Sequence, residues 1–239
     1  MPAMSLASRH SVLPEGDEKV RAVRSMFDAI APRYDLVNRV MTFGMDVGWR
    51  RRTVRSLGLG PGARVADLAC GTGDLCRELA AAGCRPFGVD LSMGMLSAAR
   101  TTAPLVQGDV LRLPVRSASL DGVTCGFALR NLAELAPFFA ELGRALRPGG
   151  RIALLEVATP RSRLLRAGHQ VYFGKVVPLI GGLLSDGDAY RYLPRSVAYL
   201  PDPERLHAML TDAGFVDVGR RLLSAGIAQL ITATRAADR

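Results

Sequence analysis

The sequence predicts an α/β fold, a mostly parallel layered sheet that finishes in an antiparallel edge strand. Three observations carry that reading. Short apolar runs alternate with segments of helical periodicity, the rhythm of strand–helix–strand units joined by right-handed crossovers. A glycine turn, Ala69-Cys70-Gly71-Thr72-Gly73, directly follows the first of those runs. The 239 residues are 49% hydrophobic and 22% charged, which supplies one packed core and is too apolar for a disordered chain.

The elements follow in order. Residues 1–16 read as a flexible leader and 235–239 as a short polar tail, leaving a single domain over 17–234. Val20, Val23, Phe27 and Ile30 recur at helical spacing, so Asp17 to Ala31 is an amphipathic helix that Pro32 closes. A further helix, around Asp46 to Leu57, ends at Gly58, Gly60, Pro61 and Gly62; residues 17–58 thus form a helical N-terminal cap. Arg64–Leu68 is a buried strand, Asp74–Ala82 a helix, Arg85–Asp90 a second strand and Met93–Arg100 a second crossover helix. Leu105–Gly108 and Leu120–Cys125 are the third and fourth strands. Leu132, Leu135, Phe139, Leu142 and Leu146 mark one face of a long helix stopped by Pro148-Gly149-Gly150. Arg151–Val157, the fifth strand, is apolar enough for the middle of a sheet. Residues 160–201 break the alternation as a lid-like insertion. Asp202-Pro203 then opens a helix that stops at Gly214, and Phe215–Leu222 with Gly226–Thr234 form a hairpin at the sheet edge.

Composition excludes several classes. The apolar stretch Val176 to Leu184 is nine residues long and interrupted by Pro178, Gly181 and Gly182, whereas a bilayer span needs about 20. The first sixteen residues lack the apolar core of a secretory signal. Cys70, Cys76, Cys84 and Cys125 form no C-x-x-C pair, so neither a metal site nor a disulfide framework is indicated and a cytoplasmic chain with reduced thiols is expected. The net charge of +9 fits nucleic acid, an anionic membrane surface or an acidic substrate. It is carried almost wholly by arginine, with Lys19 and Lys175 the only lysines, which also suits a GC-rich genome.

The glycine turn brings small residues to a helix start, where backbone can approach a ligand closely. Asp67 ends the strand before it and Asp90 ends the next strand, where an acid can take both hydroxyls of an adenosine ribose. A plainer reading makes Gly71 and Gly73 a tight turn only, and Asp90 a cap for the helix that starts at Ser92. A dinucleotide fingerprint wants a third glycine, and Cys76 stands there instead, with no basic group for a pyrophosphate. Asp109, after the third strand, sits where an adenine amino group would be read. An acidic site of this kind suits a cationic ligand better than a phosphate cradle would.

This order of acid, glycine turn, acid and acid resembles the class I methyltransferases, with their Rossmann-like sheet and S-adenosylmethionine cofactor. Phe27-Asp28-x-x-Ala31-x-x-Tyr34-Asp35-x-x-Asn38-x-x-Met41-x-x-Gly44 and Trp49-Arg50 resemble, more narrowly, the N-terminal signature of the ubiquinone/menaquinone-biosynthesis C-methyltransferases. Leu113-Pro114, Phe127-x-Leu129-Arg130-Asn131, Leu155-Glu156 and Tyr190-x-Tyr192-Leu193-x-x-Ser196 continue that likeness in order, over Val20 to Thr232. The resemblance implies cofactor contacts at Thr72, Asp90, Asp109 and Val110. Asp67, Gly71 and Gly73 belong to the same expected set, as does Gly126, which replaces a family serine and leaves the backbone to serve. Ala128 stands for the motif glycine and Cys70 for a turn glycine.

The resemblance further implies methyl transfer to a ring carbon of a reduced polyprenyl quinone precursor, demethylmenaquinol first among them. Ring carbon attacks only when a neighbouring oxygen donates density, and a phenol titrates near about 10, so the site must favour the phenolate. Arg130 and Asn131 follow the fourth strand at the carboxyl edge of the sheet. Arg130 either stabilises the phenolate or pairs with Glu156, and Asn131 either meets the acceptor or caps the next helix. Tyr34 either closes over the acceptor or packs. His169 is a weaker candidate base. Residues 161–195 hold six basic and two acidic residues among many apolar ones, which suits peripheral contact with an anionic membrane. A homo-oligomer remains open. The competing readings are a methyltransferase for another aromatic or polyketide molecule and an RNA methyltransferase. With aromatics at 6% and no interleaved basic and aromatic patch, no nucleic-acid partner is expected.

Overall fold

The computed structural model describes residues 16–160, 162, 163, 166, 168, 172 and 196–237. The leader and nearly all of the insertion, His169 and the Tyr190–Leu193 motif included, lie outside the described residues. Helices α1 (Gly16–Ile30), α2 (Tyr34–Met41) and α3 (Met45–Leu57) precede the sheet. Then come β1 (Arg64–Leu68), α4 (Asp74–Ala81), β2 (Arg85–Asp90), α5 (Met93–Ser97), β3 (Leu105–Gln107) and β4 (Leu120–Gly126). The chain continues with α6 (Leu135–Ala145), β5 (Leu146–Val157), α7 (Pro203–Asp212), β6 (Phe215–Leu223) and β7 (Ala228–Arg235).

Among the described residues, seven strands form one sheet in the order β3-β2-β1-β4-β5-β7-β6. β7 runs antiparallel to both β5 and β6, so the closing hairpin folds back and slots β7 inside, with β6 at the margin. The reversal between β2-β1 and β1-β4 opens the crevice in which sheets of this kind hold ligands.

Both faces of the sheet are covered, and β5 shows why it had to be apolar. Ile152 and Leu154 point into the core beneath α6 and α7, while Ala153 and Leu155 point into the core beneath α3 and α4. A third, smaller cluster of Ile30, Ala31, Val37, Met41 and Met95 ties the N-terminal cap to α5. Gly94 permits that contact, because a Cβ there would meet the Asp28 backbone at 2.8 Å.

α1 ends at Ile30, just before Pro32, as the sequence predicts; Pro32 itself sits in the first turn of a 3-10 turn, Ala31–Arg33, where its missing N–H costs nothing, and α2 follows at once. One expectation is corrected. The helix expected from Leu132 begins at Leu135, with Glu134 at the capping position, so Asn131 is not its cap. Asn131 ends a separate turn, Leu129–Asn131.

Candidate functional site

One cavity opens at the carboxyl ends of β1, β2 and β4. The backbone there turns sharply. Ala69 and Phe127 take left-handed φ of 50° and 60°, a strain of about 1–3 kcal/mol each that the surrounding packing must hold. Gly71 and Gly73, at φ 55° and 83°, complete the turn into α4 without that cost.

Asp90 shapes the cavity floor. Its carboxylate accepts the Gly71 amide at 2.8 Å with one oxygen and the Ser92 amide at 2.8 Å with the other. Burial pushes its pKa up despite these bonds. The α5 cap is Ser92 itself, whose hydroxyl accepts the Met95 amide. Asp109 also lines the cavity, beside Val110, and accepts the Leu111 amide at 2.9 Å. The walls are apolar: Leu91, Met95 and Leu111 on one side, Val20, Val23 and Phe27 of α1 on another.

Gly126 borders the same space, and a Cβ there would sit 3.0 Å from Leu75. Two carboxylates, bare backbone at a glycine turn and apolar walls fit an adenosine-type cofactor with a cationic tail.

Other expected contacts are set further back. Thr72 is 3% exposed, and its hydroxyl donates to Asp35 on α2 at 2.5 Å. Gly73 lines neither this cavity nor the smaller pocket beside it. Asp67, which borders only that smaller pocket, accepts the Thr124 hydroxyl at 2.8 Å, with the Cys76 thiol 3.6 Å away. Burial raises the Asp67 pKa to about 7.

Arg130 is the main correction. Its guanidinium does not line the cavity; it is 4% exposed and bonds Glu156 Oε1 at 2.5 Å, Phe127 O at 2.6 Å and Ser196 Oγ at 3.1 Å. The ion-pair reading therefore holds in place of the phenolate contact. Arg130 braces the turn that carries Phe127 and Asn131.

Asn131 and Tyr34 do reach the cavity. Asn131 is 8% exposed, and its Nδ2 lies 3.4 Å from Phe127 O. Its Oδ1 is, among the described residues, the one buried side-chain polar atom with no hydrogen-bond partner. Burial pushes the Tyr34 phenol up, so it stays protonated and can donate.

Sequence reasoning missed how the cap is fastened. Asp28 accepts the Ser92 hydroxyl at 2.6 Å and the Gly94 amide at 2.9 Å. Although burial opposes it, those two bonds hold the Asp28 carboxyl below its ordinary range. Lys19, 3% exposed, donates to Leu132 O at 2.7 Å and sits 3.6 Å from the centre of the Tyr199 ring. Arg50 pairs with Asp46 and, at 3.1 Å, with Asp74 beside the glycine turn. The Asp46–Arg50 spacing of four on one helix was a visible signal; the Asp28 and Lys19 contacts span the chain and had none.

The model of the ubiE/COQ5 methyltransferase family matches residues 15–235. The chain is 42% identical over 230 residues to the demethylmenaquinone methyltransferase of Roseiflexus castenholzii, covering 93% of this chain and 97% of that one. It is 45% identical over 227 residues to the demethylmenaquinone methyltransferase of Deinococcus radiodurans, covering 90% and 94%. Among solved structures, an S-adenosylmethionine-dependent methyltransferase of Thermotoga maritima superposes with a TM-score of 0.64 at 18% identity, over 89% of this chain and 99% of that one. At that identity the likeness speaks for the fold alone.

Proposed function

The chain belongs to the ubiE/COQ5 methyltransferase family, and from that premise we infer that it methylates a ring carbon of a reduced polyprenyl quinone precursor, demethylmenaquinol foremost. S-adenosylmethionine supplies an electrophilic methyl group when bound. The observation that carries the reading is that Asp90, Asp109 and Gly71 share one cavity with Tyr34 and Asn131. Acids for a nucleoside and polar groups for a ring hydroxyl thus face the same space.

The protein's own groups divide the work. Asp90 takes the ribose hydroxyls and Asp109 the adenine amino group, with Val110 beside it. Gly71 and Gly126 offer backbone at close range, and Thr72 and Asp67 hold the turn from behind. Asn131 Oδ1, which has no hydrogen-bond partner among the described residues, accepts a hydrogen bond from the ring hydroxyl and so raises electron density on the neighbouring carbon. The protonated Tyr34 donates to the acceptor's other oxygen. An aligned ring in a space that α1 shields from water accounts for much of the rate. The apolar α1 wall and Leu132 suit a greasy acceptor. Peripheral contact with an anionic membrane, and a cytoplasmic location on its inner face, follow as proposals from where such an acceptor resides.

Incubation with a radiolabelled methyl donor and a panel of demethylmenaquinol, other reduced quinones and RNA tests this. Label should enter demethylmenaquinol. Label in RNA alone overturns the reading.

A further inference from the structure

A second concavity lies between the C-terminal half of α3 and the hairpin β6-β7, sharing no lining residue with the cofactor cavity. It is an open groove of about 480 Å³. Arg52 and Arg55 reach it from one face of α3, and Arg220 and Arg221 border it from β6. Ser56, Gly219 and Thr232 add to its polar lining, and among the described residues no acidic side chain takes part.

Two features make this more than an arginine-rich surface. Several exposed or half-exposed arginines elsewhere are neutralised in place: Arg51 by Glu78, Arg77 by Asp74, Arg144 by Glu141 and Arg147 by Asp121. In the groove Arg52, Arg55 and Arg221 make no ion pair among the described residues, so like charges converge without a counter-charge. Gly219 also leaves the floor open, since a Cβ there would stand 3.1 Å from Thr232 Oγ1. That hydroxyl is half-buried and has no hydrogen bond among the described residues.

We propose that this groove binds a phosphate-bearing anion, either the headgroup of an anionic phospholipid or a free phosphoanion. Guanidinium forks match phosphate oxygens two at a time, and a hydroxyl at the floor adds a donor that a chloride-like ion would not need. The site shares no lining residue with the methyl-transfer cavity, so it anchors or senses and takes no part in the chemistry.

The test uses the full chain and two triple variants of equal charge: Arg52→Ala/Arg55→Ala/Arg221→Ala in the groove, and Arg85→Ala/Arg112→Ala/Arg116→Ala at exposed positions outside it. Probes are inorganic pyrophosphate, by calorimetry, and phosphatidylglycerol or phosphatidylcholine vesicles, by flotation. The groove variant should bind its probe at least tenfold more weakly than wild type, and the control variant within about threefold. Binding of phosphatidylglycerol vesicles that pyrophosphate does not compete assigns the lipid source; pyrophosphate binding without vesicle binding assigns the free anion. Equal losses in the two variants, or no binding of either probe by wild type, overturn the proposal. Methyl transfer to a detergent-solubilised quinol should be unchanged in the groove variant, so this result stands apart from the test of the acceptor.

Discussion

Arg130 and Glu156 form a buried ion pair, 2.5 Å between nitrogen and oxygen, immediately behind the wall of the cofactor cavity. They come from a turn after β4 and from the neighbouring β5, and Glu156 is wholly buried. The pair holds the Phe127–Asn131 turn against the sheet.

Removing one partner leaves a charge buried alone, at a cost of about 3–5 kcal/mol. Arg130→Ala should therefore lower the melting temperature by roughly 6–20 °C, at about 2–4 °C per kcal/mol for a chain of this size. The double variant Arg130→Met/Glu156→Leu should recover part of that loss. Thermal melts beside turnover per folded molecule decide the matter. An unchanged melt with a hundredfold loss of turnover would return Arg130 to the chemistry.

Asn131→Ala should separate activity from stability. Its Oδ1 has no partner among the described residues, so the folded state gives up little when it goes. Catalytic efficiency toward the quinol should fall about tenfold, the worth of one hydrogen bond, with cofactor affinity within about threefold. A parallel loss of cofactor affinity would place Asn131 on the cofactor instead.

Asp90→Ala should weaken cofactor binding at least about a hundredfold. Two charged acceptor bonds are worth about 1.5–3 kcal/mol each, and the Gly71 amide loses its anchor as well. Asp109→Ala should cost less, because it removes one contact to a neutral donor. Calorimetry on both variants orders them; a larger loss at Asp109 would reverse the assignment.

Asp67 predicts a pH signature. Its folded pKa is about 7, raised by burial, against about 3.9 in an unfolded chain. Between those values the folded protein keeps a proton that the unfolded chain releases, so stability falls as pH rises from about 4 to 7 and levels off above. The full difference is on the order of 4 kcal/mol. Asp67→Asn should flatten denaturation free energies over that window, and curves that stay parallel to wild type would rule the carboxyl out as their cause.

Much of this was legible along the chain. The strands Arg64–Leu68 and Arg85–Asp90 stand where apolar runs and flanking turns put them. The glycine turn, Asp90 and Asp109 meet in one cavity because each ends or follows a strand of a parallel sheet, and such ends gather at one edge. Strand alternation and turn chemistry are properties of residues a few positions apart, so one dimension suffices to read them. Partner choice is different. Whether Arg130 faced a phenolate or Glu156 depended on β5 lying beside β4, and no spacing within the chain states that. Only the folded sheet brought Asp28 to Ser92 across 64 residues and Lys19 to Leu132 across 113, which turned the N-terminal helix into a wall of the cavity. It also left Asn131 Oδ1 buried with no partner among the described residues. An unsatisfied atom is a fact about everything around it, so tertiary packing alone decides it.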